Sequence, residues 1–392
     1  MITDLKLFPS LNSKGEASVR VVLTCDSGSY SSTVPSGTSK GSNEAKELAF
    51  EKVRSVFPKV RQKIIGMQED SQRIDRLLIE MDRTKNFASI GGNLSLAISV
   101  AAARAQSRGN LWKLDGLKES QKFPVPIGNV IGGGAHGGGT DWQEFLLIPH
   151  LAKNPLEAIE NLVHAWYAIG DELKSKNLLQ GRNYENAWMS GLNEEKTLEF
   201  LSEIASDWHM KIGVDFASSS LWDGKSYNYK KSRKKLTTDQ QMELVKETAE
   251  RFRIWYLEDP FHENGFASFT ALTTDLGKGH LVVGDDLYCT QLRRLEKGVQ
   301  EKATNGIIIK PNQVGTLFQA GLVTKLAHKH GIVPVVSHRS GETEDDWLAD
   351  LGLLWGAPFI KTGVMGMERL AKHNRLIQLW DEVPSPKMAE MP

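Results

Sequence analysis

Asp215, Glu258 and Asp285 each close a short apolar run, in MKIGVDF, RIWYLEDP and HLVVGDDL, and together they make an all-oxygen donor set. Carboxylates without Cys or several His suit Mg²⁺ better than zinc. A hard cation so held keeps positions open for water and for the oxygens of an anionic ligand. Three further runs end on Lys310 (GIIIKPNQ), His338 (VPVVSHRS) and Lys361 (FIKTG). A partly desolvated lysine among other cations loses proton affinity and can act as a base. Lys310 is assigned that role and Lys361 electrostatic support; the alternative is a salt-bridged lysine that holds a metal-binding carboxylate in place. Arg339 and Ser340, beside His338, offer donors suited to a phosphate or carboxylate, against the plainer reading of a core histidine and an exposed arginine. Asp286 is expected to turn away from Asp285, toward a lysine. A single strand-end acid is more often solvated or capping a helix. Three in succession, with two lysines completing the ring, point to a metal site beside a base, and so to an enzyme.

The six closing residues are separated by 43, 27, 25, 28 and 23 positions. The later gaps suit one buried strand, one helix and two turns, repeated, with a longer excursion after the first strand. In a parallel β/α barrel the C-terminal strand ends share one mouth, where active sites sit. Upstream, VPIGNVIGGG and QEFLLIPH read as a strand pair around the loop GGGAHGGGTDW. Two long helical stretches follow, LEAIENLVHAWYAIGDELKSK and NEEKTLEFLSEIASDW, before strand–helix alternation begins. Nearer the N-terminus, ASVRVVLTCDSG and SYSSTVP alternate as strands about a turn at Asp26-Ser27-Gly28. NEAKELAFEKVRSVF, DSQRIDRLLIEMD and NLSLAISVAAARAQSR carry helical periodicity. FPVP at 123–126 breaks that pattern and is expected as the linker. The fold class is therefore α/β: a small α+β domain at 1–124, then a barrel at 125–392 that opens β-β-α-α.

A chain of 392 residues is ample for a barrel plus a smaller unit. Its 40% apolar and 24% charged residues are an ordinary globular balance. A formal net charge of zero argues against a nucleic-acid-coating protein. Cys25 and Cys289 are the only cysteines, so no disulfide framework is expected and a reducing cytosol fits. MITDLKLFPS lacks the basic and apolar regions of a signal peptide, and SLAISVAAARA is too short to span a bilayer. The expected location is cytoplasmic. PSGTSKGS at 35–42 lacks the spacing of a P-loop and reads as a Gly-rich lid. GGGAHGGGT could carry His136 over a ligand, although a glycine loop alone is weak evidence. The basic run KSYNYKKSRKK, Lys225 to Lys235, reads as a solvated hairpin or loop before it reads as a nucleic-acid contact.

These segments resemble the enolase (phosphopyruvate hydratase) family along nearly the full length. The likeness rests on NSKGEASVRV, VPSGTSKG, NLSLAISVA, PVPIGNVIGGGAH, DWQEFLLIP, LEDPF, VGDDL and IKTG followed by ERLAKHN. IKPNQVGT and VVSHRSGETED are its most specific motifs. The resemblance implies an N-terminal α+β domain and a β-β-α-α-(βα)₆ TIM-like barrel. It implies that Asp215, Glu258 and Asp285 hold a first Mg²⁺, and that Ser39 binds a second, which arrives with substrate. Lys310 would take the C2 proton of 2-phosphoglycerate. Glu185 would be the acid at the C3 hydroxyl, with Glu144 and Gln143 beside it. Arg339 and Ser340 would grip the phosphate and Lys361 the carboxylate, while His136 and His338 line the pocket. A Lys or His base with one or two Mg²⁺ ions is the known pattern of this superfamily. Partners implied are a small phosphorylated or phosphonylated acid and a second copy of the chain, as a dimer or a multiple of dimers, with no nucleic acid and no membrane.

The chain departs from the family where GDEGGFAPN becomes NYENAWMSG, at 183–191, and where NGG becomes Gly132-Gly133-Gly134. LDSRG becomes Leu11-Asn12-Ser13-Lys14-Gly15, and SGAS becomes Ser36-Gly37-Thr38-Ser39. After IKTG, a stretch that carries an arginine is replaced by Val364-Met365-Gly366-Met367. The leading expectation is dehydration of 2-phosphoglycerate to phosphoenolpyruvate. An alternative, favoured by the altered loop around Glu185 and the bulky Trp188, is a homologue retuned for a related acid, such as a carboxyphosphonoenolpyruvate synthase of phosphonate biosynthesis. A non-catalytic binding protein on the same fold is a third, against which the full set of metal ligands weighs.

Overall fold

The computed structural model describes residues 1–37, 43–114 and 122–392. The N-terminal part is an antiparallel sheet of β1 (Ile2–Leu11), β2 (Ala17–Cys25) and β3 (Gly28–Thr33), in that order. Three helices follow: α1 (Phe50–Ile64), α2 (Ser71–Asp82) and α3 (Gly92–Gln106). α2 starts where the Asp70 carboxylate accepts from Arg73 N at 2.9 Å, which satisfies an orphan donor of its first turn. α3 is buried almost all round. Its Ala, Ser and Gly residues let it lie between β2 and β3 on one side and the barrel turn at 311–313 on the other. The helix expected from Asn43 begins seven residues later, at Phe50. The residues before it are drawn to other partners: Ala45 N donates to Gln313 O at 2.8 Å and Lys46 N to Asn86 O at 2.7 Å. Tertiary hydrogen bonds there outweigh helical periodicity.

β4 (Lys122–Phe123) leads into the barrel strands β5 (Val125–Gly132) and β6 (Glu144–Ile148), which pair antiparallel. Phe123, Val125 and Pro126, expected as linker, are thus in strands. α4 (Pro155–Ser175), the hairpin β7 (Leu179–Arg182) and β8 (Trp188–Ser190), and α5 (Glu194–Asp207) come next. Six strand–helix units complete the ring. They are β9 (Lys211–Asp215), with the hairpin β10 (Tyr227–Tyr229) and β11 (Lys234–Leu236) before α6 (Thr238–Arg251); β12 (Ile254–Glu258) and α7 (Phe266–Leu276); and β13 (Leu281–Gly284) and α8 (Leu292–Glu301). β14 (Gly306–Ile309) and α9 (Leu317–Lys329), β15 (Val333–Ser337) and α10 (Trp347–Leu354), and β16 (Phe359–Lys361) and α11 (Met367–Glu382) follow, and β17 (Lys387–Met388) returns to pair with β4. Phe359 pairs with Val125 to close eight strands into a barrel. The β10–β11 hairpin, built from the basic run, accounts for the long first gap. Among the described residues no helix is long and apolar enough to cross a membrane.

Side chains alternate along each barrel strand. Leu146, Tyr256, Val283, Ile308 and Phe359 pack together inside. Phe145, Leu257, Val282, Ile307 and Ile360 pack in the main core, which takes in the surrounding helices. Two residues further toward the mouth, the interior face is continued by Glu144, Glu258, Asp285, Lys310 and Lys361. The period of the strand therefore aims the chemistry inward.

Candidate active site

The mouth of the barrel holds a cavity of about 390 Å³, lined by His136, Gln143, Glu144, Glu185, Asp215, Asp285, Lys310, His338, Arg339, Ser340 and Lys361. Of the residues expected from sequence, Glu258 is fully buried and meets the lining through Lys361 Nζ, 2.8 Å away. Ser39 falls outside the described residues. The N-terminal domain supplies Gly37 and Glu44 to the rim. It is tied to the barrel there by a two-way backbone pairing of Ser36 with Gly341, both hydrogen bonds 2.9 Å. Trp347, the first residue of α10, donates its indole N–H to Thr33 O at 3.1 Å and so fastens the same junction.

Lys361 is 3% exposed in its side chain, with Nζ 2.8 Å from Glu144, 3.0 Å from Asp215 and 2.8 Å from Glu258. Burial pulls its proton affinity down, but these three carboxylates outweigh that and hold it well above the ordinary lysine range. It is a fixed cation in this arrangement. Lys310 is paired with Asp285 Oδ2, whose other oxygen accepts from Gln313 Nε2 at 3.2 Å. Here the expectation of a depressed lysine is corrected. Burial does act downward, yet the charge of Asp285 wins, and Lys310 stands above its usual value. The salt-bridged alternative thus describes its resting state.

Glu258 is pushed up to about 8, first by burial and then by the charge of Asp215. Its carboxylate also accepts from Tyr256 Oη at 2.7 Å. Among the described residues Asp286 forms no ion pair with a lysine and instead stays beside Asp285. Oxygens of Asp259, Asp285 and Asp286 lie within 4.8 Å of one another, and burial with the charge of Asp285 pushes Asp286 up to about 7. Asp259 in turn anchors the turn after β13, accepting from Asp285 N at 3.0 Å and Asp286 N at 2.6 Å.

On the other side, ligand atoms of His136, Glu144 and Glu185 also lie within 4.8 Å of one another. Their surroundings pull the two carboxyls apart. Burial raises Glu144 well above the ordinary range, against the charge of Lys361. Burial also acts upward on Glu185, but His136, His338 and Arg369 together hold it below. Arg339 forks onto Glu44, Nη1 to Oε2 at 2.9 Å and Nη2 to Oε1 at 3.2 Å. Gly37 leaves room for it: a Cβ there would sit 1.8 Å from Arg339 Nη2 and push the guanidinium aside.

The family model described as enolase, C-terminal TIM barrel domain, matches residues 120–389, and that for the enolase N-terminal domain matches residues 2–114. The chain belongs to the enolase family. It is 38% identical over 411 residues to an enolase of Methanosphaera stadtmanae, covering 100% of this chain and 99% of the relative. It is 39% identical over 399 residues to an enolase of Thermoplasma acidophilum, covering 96% and 98%. An enolase of Methanothermobacter thermautotrophicus is 36% identical over 412 residues, covering 100% and 99%. The protein is an enzyme of that family.

The altered loop of this chain, 183–191, brings Glu185 into the cavity. Trp188 does not enter it: its indole stacks on Trp166 at 4.2 Å and donates to Trp166 O at 2.8 Å. The bulky residue that favoured a retuned substrate packs against α4 instead. The basic run also has a structural task, because Lys231 Nζ donates to Gly138 O and, at 2.7 Å, to Thr140 O. It pins the glycine loop that carries His136. Sequence reasoning missed Glu44, Asn129, Gln313 and Arg369. Glu44 was hidden in an apparent helix and Asn129 in an apolar strand. The buried Arg369 lies in ERLAKHN, where nothing in the charge pattern separates it from a solvated helix arginine.

Proposed function

We propose that this member of the enolase family dehydrates 2-phosphoglycerate to phosphoenolpyruvate, reversibly and with Mg²⁺. The observation that supports it most is the meeting, in one cavity, of Lys310, Lys361 and Arg339 with two groups of carboxylates. Asp215, Glu258 and Asp285 offer only oxygens, and in the structure their charge is balanced by two ammonium groups. That donor set fits a hard divalent cation. They would hold a first Mg²⁺ and Ser39 a second, and such ions supply positive charge to a substrate carboxylate that becomes a dianion as its α-proton leaves.

Lys310 takes the C2 proton, which requires that its pair with Asp285 open first. Arg339 and Ser340 hold the phosphate, and Lys361, locked as an ammonium, faces the carboxylate. The C3 hydroxyl leaves toward Glu144, Glu185 and His136. The proton it needs resides on Glu144, whose surroundings favour the neutral acid, and is shared with the ionised Glu185. Closing the N-terminal domain over the cavity excludes water.

The test is phosphoenolpyruvate formation from 2-phosphoglycerate with Mg²⁺, followed by ultraviolet absorbance. Robust turnover is expected, with a loss of at least about 10³-fold in Lys310→Ala. No turnover by the folded, Mg²⁺-loaded protein would overturn the reading.

A further inference from the structure

We propose that Arg369 is a positioning residue of this enolase site, one that fixes three successive substrate-facing residues and sets the tautomer of His338. The inference rests on the reading of the cavity given above. Arg369 lies on α11 with 0% exposure. Its Nη1 is 2.8 Å from His338 Nδ1 and 2.7 Å from Arg339 O, and its Nη2 is 3.0 Å from Ser340 O. One guanidinium thus grips residues 338, 339 and 340 in order.

The direction of the first bond is forced. A guanidinium has five N–H donors, no acceptor, and keeps its charge at any relevant pH. His338 Nδ1 must therefore accept, and the neutral ring must carry its proton on Nε2. Nε2 is the atom that faces Glu185 Oε2, at 3.9 Å. So Arg369, without reaching the cavity, makes His338 present an N–H to the acid side. Burial and the Arg369 charge both lower His338 well below its usual value, in keeping with a neutral ring. The two carbonyl contacts fix the backbone from which the Arg339 guanidinium and the Ser340 hydroxyl project.

The next inward turn of α11 continues the clamp. Lys372 Nζ donates to Thr343 O at 2.6 Å and pairs with Glu342 Oε2 at 2.7 Å. Simple core filling would not need two buried cations ranged along the same loop.

Two measurements on the full chain decide it. In ¹⁵N-histidine-labelled wild type, the His338 ring, assigned by its loss in His338→Asn, is expected to show Nδ1 bare and Nε2 protonated at neutral pH. A proton on Nδ1 would overturn the proposal, and this readout needs neither turnover nor a folded Arg369 variant. In Arg369→Met, His338 is expected to lose its single tautomer. With 2-phosphoglycerate, kcat should fall about 10²-fold and KM should rise, with partial rescue by added guanidinium. A folded Arg369→Met with a lowered melting temperature but unchanged kcat, KM and tautomer would reduce Arg369 to packing. If wild type fails to turn over 2-phosphoglycerate, the tautomer measurement still tests Arg369, so the two failures are separable.

Discussion

Lys361 and Glu185 face the same cavity from different kinds of backbone. Lys361 is the last residue of β16, two positions beyond the interior Phe359, and the pleat aims it inward. Glu258 follows Tyr256 and Asp285 follows Val283 in the same way. Glu185 sits in the turn between β7 and β8, where no pleat aims it. Side chains do so instead: Asn183 Oδ1 accepts from Glu185 N at 2.9 Å and Ala187 N at 3.0 Å, and Asn129 Nδ2 donates to the carboxylate at 3.1 Å. Asn186 takes a positive φ of 61° to complete the turn. In the strand-end half the barrel geometry fixes where each side chain points, which leaves each position one task. The loop half can be rebuilt, provided its side chains change as a set.

The largest effect should come from the strand-end half. Lys361→Met would leave Glu144, Asp215 and Glu258 buried without their shared cation. Removing one partner of a buried ion pair costs about 3–5 kcal/mol, and the loss of carboxylate stabilisation should cut kcat/KM by at least about 10³-fold. Added Mg²⁺ should recover part of the melting temperature in this variant, by more than in wild type, because a divalent cation can stand where the ammonium stood. An unchanged melting temperature without Mg²⁺ would mean that the Lys361 ammonium does not stabilise the carboxyls around it in the resting enzyme.

This half was also the legible one. Six runs ending on Asp, Glu, Lys or His at a near-constant interval are enough to assign strands, a shared mouth and a cluster of charge, and the structure has them there. The protonation state of Lys310 was not legible, because it depends on a 25-residue contact to Asp285 that spacing does not reveal. Nor was the start of α1. The segment Asn43–Ala49 has helical periodicity, yet Glu44 and Ala45 are taken by Arg339 and Gln313, partners nearly 300 residues away in Arg339's case. Glu185 was found only through family likeness, since nothing in NYENAWMSG distinguishes its glutamate from a solvated one.

The strand-end half should be the one that fails in acid. His373 on α11 bonds Thr362 Oγ1, next to Lys361, through Nε2 at 2.7 Å. Burial first, then Lys372 and Arg369, lower its pKa from 6.5 to about 4. A histidine depressed in the folded state contributes stability that is full above about 6.5 and is lost as pH falls through about 4. At about 1.4 kcal/mol per unit, the loss across that window is about 3 kcal/mol. Urea unfolding between pH 7.5 and 4.5 should therefore show a flatter pH dependence in His373→Gln than in wild type. Parallel curves would assign the acid sensitivity elsewhere.

The smallest effect tests whether the loop half really changes as a set. A Cβ on Gly132 would lie 2.2 Å from Asn183 Nδ2, so a side chain at 132 would displace the Asn183 amide from its present place. The family resemblance implies Asn at the first position and Gly at the second, the reverse of this chain, so the two departures are expected to act as one exchange. Gly132→Asn alone should overpack the turn at a cost of about 1–3 kcal/mol. Asn183→Gly alone should leave the N–H groups of Glu185 and Ala187 without their acceptor, at about 1–2 kcal/mol, and lower kcat as the carboxylate loses its aim. The double variant should recover both, with a favourable coupling of about 1–2 kcal/mol in a double-mutant cycle on stability and a matching recovery of kcat. Additive effects, within about 0.5 kcal/mol, would show that Glu185 is held by something other than Asn183. The loop half would then owe its tolerance to slack in the turn, and the contrast with the strand-end half would be one of degree only.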